Sequence, residues 1–455
     1  MYRYTLTRIK IHLNRIRVGG AQYLANALIN NKILNTLDLY KTAIEDAGAT
    51  YIANALRYNT ALTVLNIVSN EIGDKGVKYL ANALRNDKTL TILNLSENEI
   101  QDEGAMHLAH VLENNSTLIT LDLHSNKIGD EGIHYIAQSL TKNSTLTTLD
   151  LYSNKIRDKG ASYLAGALKT NTALATLKLN WNEIGHEGAY HLADALVKNQ
   201  ALTRLNLHSN HVRDEGANYF AEALKINKTL TTLDLAVNVK IGYEGIKHLA
   251  NSLTNNRTLN ILNLSMITIG DDGAMHLANA LSKNTTLTTL DLHWTEIEKE
   301  GSLYLSNALK KNNALDTLSL DSNKIGTDGA KHLGNALCNN AKLIALDLRG
   351  NNIGNHGAQH LAKALINNKI LSIMNLEVNQ IRNEGVKYLS DALYENTTLT
   401  TLNLTSNEID DDGALYLANA LVNNRTLTKL DLIQNQIGDE GAHYFADALT
   451  KNTVT

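Results

Sequence analysis

The stretch Leu118-Ile-Thr-Leu-Asp-Leu-His-Ser-Asn126-Lys-Ile128-Gly-Asp130-Glu-Gly132-Ile-His-Tyr135-Ile136-Ala137-Gln-Ser-Leu140 holds one turn of a pattern that fills the chain. Apolar residues alternate as far as Asn126, then recur at helical spacing after Gly132. The Asn126 position returns at Asn14, Thr42, Asn70, Asn98, Asn154, Asn182, Asn210, Asn238, Ile267, Thr295, Asn323, Asn351, Asn379, Asn407 and Asn435, giving 16 units. Every step is 28 residues except Asn238 to Ile267, which is 29 because Val239-Lys240 carries one extra. Asparagine fills 13 of the 16 positions, and the Gly132 position is glycine in all 16. A fixed period of this size marks a repeat array.

Each position has a physical reading. The segment before Asn126 alternates with period two and is expected to be a short strand with one buried face. Asparagine ends it, because its amide both donates and accepts and can satisfy backbone groups in a buried bend. Stacked from unit to unit, these asparagines predict a ladder. Asp, Asn or Thr follows at 12 of 16 units (Asp46, Asp74, Asp102, Asp130, Asp158, Asp214, Asp271, Thr327, Asn355, Asn383, Asp411, Asp439), and these read as helix N-caps. The repeated glycine reads as serving a backbone bend. Apolar residues one, four, five and eight after it form one helical face, as in Ala21, Leu24, Ala25 and Leu28. A second repeated Asn, from Asn31 to Asn452 with only Asp87 departing, is expected to end the helix in a left-handed conformation. Strands pack about 4.8 Å apart and helices about 10 Å. Strands must then line the shorter arc, which predicts a horseshoe.

Composition agrees with one continuous array. A length of 455 residues would ordinarily suggest about three domains. Yet there is no proline, no Gly/Ser linker and no charge run. The expectation is a single solenoid over 1–455, its repeats spanning about 6 to 452. A net charge of -4 and pI near 6.5 give no footprint for nucleic acid or an anionic membrane. Apolar runs are too short to span a bilayer, and no secretory leader is evident. The single Cys338 argues against disulfides and fits a reducing compartment. A cytoplasmic location is expected, including delivery into a host cytosol.

The L-x-x-L-x-L-x-x-N pattern, continued by a helix, resembles the ribonuclease-inhibitor class of leucine-rich repeats. That class includes ribonuclease inhibitor, the sensor arms of NOD-like receptors, the Ran GTPase-activating protein and effectors of intracellular bacteria. The resemblance implies an α/β leucine-rich-repeat solenoid, a right-handed horseshoe with parallel strands on its concave face and helices on its convex face.

Little points to catalysis. No phosphate-binding loop, dinucleotide fingerprint, nucleophile elbow or H-E-x-x-H is present. His356 and His360 are four apart, but the first precedes the glycine at the helix start, so two surface histidines are expected. Asp411 of the triplet Asp410-Asp411-Asp412 sits in the capping position, which accounts for it without calcium. The sequons at Asn143, Asn227, Asn256, Asn284, Asn396 and Asn424 fall on the helix-end Asn and are repeat grammar. No catalytic residue, cofactor, metal or nucleic-acid partner is expected.

Binding information should sit where the repeat rules are silent, on the outward strand positions. Two before the ladder these include Tyr40, His124, Tyr152, His208, His293 and Arg349. Four before it, the row carries Asp122, Asp150, Asp234 and Asp291 among seven aspartates and two lysines. This reads as a weakly acidic floor suited to a basic protein partner, although the interleaved asparagines also relieve stacked charge. Trp181 and Trp294 precede the ladder position and could anchor a partner or fill a local gap. Three after the glycine stands Tyr or His in every unit, expected to cover the groove between helices, with a convex binding stripe as the alternative. The units around Tyr243, Ile267, Thr295 and Lys299 break several rules together. The function expected is a non-catalytic protein-interaction module using the concave face. A regulator of a small GTPase is the alternative, and a fragment of a larger sensor is a third, since both ends stop within repeat grammar.

Overall fold

A computed structural model describes residues 6–452, and among them sixteen three-residue strands alternate with sixteen helices of 11 to 14 residues. Two compact units divide the chain, one up to Leu233 and one from Asp234. In the first, eight strands from Arg8–Lys10 to Arg204–Asn206 pair in parallel, each with the next in chain order. In the second, seven strands from Ile261–Asn263 to Lys429–Asp431 do the same. The strand Thr232–Asp234 falls on the division. Register sets like against like, as in Thr120 beside Thr148 and Asp122 beside Asp150. Each unit is thus an α/β repeat solenoid with strands on one face and helices on the other.

The core of one repeat follows the pattern. Leu118, Leu121, Leu123, Ile128, Ile133, Ile136, Ala137 and Leu140 are each 4% exposed or less. The asparagine ladder is present. Asn126 donates through Nδ2 to the carbonyls of Leu95, Leu123 and His124 at 3.1, 3.0 and 3.2 Å, and its Oδ1 accepts the Ile100 N–H at 3.0 Å. Threonine substitutes for half of this, the Thr42 and Thr295 hydroxyls donating to Leu39 and Leu292 carbonyls at 2.8 and 2.7 Å. Ile267 is buried and supplies neither bond. The extra residue of the long repeat is absorbed outward, with Val239 exposed.

Three expectations need correction. The aspartates do not cap their own helices. Asp130 Oδ1 accepts the N–H of Arg157 and Gly160, both at 2.9 Å, at the start of the next helix. Asp46, Asp74, Asp158 and Asp411 repeat this pair of bonds across the same step. The carboxylate reaches forward because a solenoid places the next helix start beside it. The repeated glycine therefore marks a close approach and not a bend. At Gly76 an added Cβ would lie 2.7 Å from Asp46 Oδ1 and 2.7 Å from Ile72 Cγ2. The helix-end asparagines are extended and not left-handed, with φ of -72° at Asn199 and -71° at Asn368. They form a second ladder. Asn199 donates to the Leu168 and Asn171 carbonyls at 2.7 and 3.2 Å and accepts the N–H of Ala201 and Leu202. Asp87 keeps the accepting half alone, to Thr89 and Leu90. Among the described residues, no helix is long and apolar enough to cross a membrane.

Candidate partner-binding surface

The residue before the ladder position is left-handed in every repeat, from Leu13 (φ 58°) to Gln434 (φ 54°). This region disfavours bulky side chains. Serine holds the position six times: Ser69, Ser125, Ser153, Ser209, Ser322 and Ser406. Trp181 (φ 54°) and Trp294 (φ 50°) hold it against that preference. They are 56% and 57% exposed, so neither fills a gap. Trp181 stacks on His208 with ring centroids 6.4 Å apart, and Trp294 meets the edge of His293 at 6.2 Å. The left-handed turn swings these side chains onto the rim of the strand face. Alternation alone gave no sign of it.

The row four before the ladder is built into the turn. Asp122, Asp150, Asp234 and Asp291 each accept the N–H two residues on, at 3.1, 3.1, 3.0 and 3.0 Å. Asn94 and Asn206 do likewise at Ser96 and His208, so Asp and Asn are interchangeable acceptors in this Asx turn. Asp150 is buried and its Oδ2 receives Lys178 Nζ at 2.8 Å. Asp122 is half-buried. Burial raises its carboxyl above the ordinary range, the His124 N–H bond opposes this, and the Asp150 charge adds to it. Burial raises Asp347 likewise. The expected acidic floor is thus partly covered and partly neutralised.

In the next row, side chains pair across repeats. His12 Nε2 lies 2.7 Å from Asp38 Oδ2, and the edge of its ring meets Tyr40 at 5.8 Å. His124 and Tyr152 lie 5.5 Å apart, centroid to centroid. His293 Nδ1 lies 2.8 Å from Asp321 Oδ2, and the exposed Arg349 reaches Glu377 at 3.4 Å. In each unit the strand face is mixed in charge and carries imidazole–aromatic pairs, with one tryptophan at its rim, Trp181 in the first and Trp294 in the second. In the irregular repeats, Tyr243 and Lys299 open their helices in place of the usual carboxylate. Tyr243 Oη meets His276 Nε2 at 3.0 Å instead.

On the helix face most of the Tyr/His stripe is half-buried, with Tyr23, Tyr79 and Tyr304 more exposed. The rings of His134 and Tyr163 meet at 4.5 Å. His360 is held below the ordinary imidazole range, chiefly by burial. Among the described residues, no three His, Cys, Asp or Glu side chains converge as a metal site would require. The aspartate triplet is occupied structurally. Asp410 accepts from Asp412 N–H and from Asn383 Nδ2, and Asp411 from Gly438 and Gly441.

A family profile described as Leucine Rich repeat matches thirteen stretches of 24 residues: 58–81, 86–109, 114–137, 142–165, 170–193, 198–221, 227–250, 255–278, 283–306, 311–334, 339–362, 395–418 and 423–446. Together they exceed half of the chain. No curated protein matches it. Among solved structures, an internalin (inlF) from Listeria monocytogenes str. 4b F2365 is similar over 95% of this chain and 92% of its own, at 19% identity and a TM-score of 0.43.

Proposed function

The chain belongs to the leucine-rich-repeat family, and on that premise we propose that it is a non-catalytic module that binds a protein through its strand face. The observation that carries the reading is the pair Trp181 and Trp294. Each is a large aromatic more than half exposed, in a left-handed turn position that serine or glycine holds in seven of the 16 repeats. Tryptophan is over-represented among residues that dominate interface energies. Units of 28 residues, each with a helix of 11 to 14, support the ribonuclease-inhibitor class. The partner is a protein with a basic patch, which Asp122 would meet on the first unit or Asp234 and Asp291 on the second, while Tyr40, His124, Tyr152 and His208 supply flat contact area on the first. A cytoplasmic setting suits the single exposed thiol of Cys338.

The test is site-specific photo-crosslinking in lysate. A crosslinker at Trp181, and separately one at Trp294, should each trap a protein that a crosslinker at Glu113 does not. Trapping only from the helix face would reject the strand-face site. If the trapped protein is a small GTPase, its turnover with and without the chain decides whether binding is also regulatory.

A further inference from the structure

The helix face carries a second, separate surface. A groove of about 310 Å³ lies between the helices Arg382–Glu395 and Asp411–Asn423, lined by Ser390, Asp391, Tyr394, Tyr416, Asn419 and Ala420. Three of these depart from the repeat together. The Ser390 position is Ala in 13 of 16 repeats. The Asp391 position is most often Asn. Tyr394 is the one aromatic at its position, and it is 56% exposed.

The groove between the helices His186–Lys198 and Arg213–Ile226 is the comparison. It too has tyrosines and carboxylates, Tyr190, Tyr219, Asp194 and Glu222, in about 190 Å³. There the protein supplies its own cations. Lys169, from the preceding helix, sits 2.7 Å from Asp194, and Lys225 sits 2.5 Å from Glu222. The position equivalent to Lys169 is Ile366 in the helix preceding Asp391. Among the described residues, Asp391 makes no ion pair. The Ser390 hydroxyl, on a residue 4% exposed, has no hydrogen-bond partner there either. Lys387 Nζ lies 5.7 Å above the Tyr416 ring, so that ring already presents its face to a cation.

We propose that this groove binds a guanidinium group, the arginine side chain of a peptide. The planar cation has five N–H donors for the Asp391 carboxylate, the Ser390 oxygen and the Asn419 carbonyl, and its plane can stack on Tyr394 or Tyr416. Lys387 is the internal competitor.

The experiment uses the full chain labelled with 3-fluorotyrosine. The Tyr394 and Tyr416 fluorine signals are assigned from Tyr394→Phe and Tyr416→Phe. N-acetylarginine amide should shift both signals saturably, and the neutral isostere N-acetylcitrulline amide should not. Asp391→Asn should weaken binding about five-fold, within the range of one exposed charge contact. Ser390→Ala, which restores the commonest residue, should weaken it about two-fold or more, on the order of one hydrogen bond. Lys387→Met should tighten it. Ile366→Lys supplies the missing internal cation and should abolish it. Equal shifts with citrulline, or unchanged affinity in both Asp391→Asn and Ile366→Lys, would overturn the proposal. All four substitutions lie on the helix surface or restore a repeat residue, so the fold can be checked independently by circular dichroism.

Discussion

Gly160 donates its N–H to Oδ1 of Asp130, one repeat back, at 2.9 Å, and a Cβ on Gly160 would lie 2.6 Å from that same oxygen. The carboxylate must come that close because it also accepts the Arg157 N–H. These are two of the N–H groups that a helix start leaves unpaired. The same geometry favours an anion at the positive end of the helix. An aspartate such as Asp130 thus completes the helix start of the next repeat, and the glycine leaves it room. Where the preceding repeat lacks the aspartate, as at Gly216 and Gly273, the close approach is that of the Val212 and Ile269 side chains four residues earlier.

Gly160→Ala should therefore destabilise the chain by about 1–3 kcal/mol, the range for overpacking, despite the better helix propensity of alanine. Gly166→Ala is the contrast. Its Cβ would meet nothing within 4 Å, so a gain of about 0.5–1 kcal/mol is expected from propensity alone. Urea unfolding of the two variants decides. A loss at Gly166 equal to that at Gly160 would contradict the carboxylate explanation.

Removing a ladder side chain should be costly. Asn126→Ala leaves the Ile100 N–H and the carbonyls of Leu95, Leu123 and His124 without these bonds, at about 1–3 kcal/mol. Asn126→Thr should recover part of this, as Thr42 and Thr295 do in the same position. Unchanged unfolding midpoints for both variants would mean that water satisfies the bend equally well.

Asp122 should make stability depend on pH in an unusual direction for a carboxylate. Its folded pKa is raised, chiefly by burial, so the folded state holds its proton more tightly than the unfolded state does. The stability this contributes is present below the unfolded value of about 3.9 and is lost as pH rises through the folded value. Asp122→Asn keeps an acceptor for the His124 N–H and removes the buried charge. The variant should match or exceed the parent at pH 7, with its relative advantage fading in acid. Thermal unfolding of both from pH 3 to 7 reads this, and a variant that loses stability at pH 7 argues against it.

The tryptophans should separate binding from folding. Trp181→Ser and Trp294→Ser place the commonest residue in a left-handed position, so stability should hold or rise slightly. Affinity for a strand-face partner should fall about ten-fold or more, mostly through faster dissociation. Reversing Asp150 is a poorer probe, because the residue is buried against Lys178 and its loss would disturb the fold. Surface plasmon resonance with the crosslinked protein gives both rates. Unaltered dissociation would remove the tryptophans from the interface.

Much of this was legible in the chain itself. A 28-residue period, alternation before Asn126 and helical spacing after Gly132 determine strand, turn and helix in each repeat, because those periods reflect backbone geometry. The buried ladder followed from an asparagine recurring at the end of each strand, whose amide both donates and accepts. What the sequence did not disclose is which repeat each polar side chain serves. Asp130 has the position and chemistry of a cap, and only packing shows that its nearest unpaired N–H groups belong to Arg157 and Gly160. Asn199 has the composition of a left-handed helix end, and only its contacts with Leu168 and Asn171 reveal an extended bridge. Position along the chain says nothing of distance across repeats. The same is true of the surface, where Asp122 and Asp150 look alike in sequence, yet Asp150 is buried against Lys178 and Asp122 is left with a raised pKa. Burial and partner, which set the energy of a charge, belong to the tertiary structure.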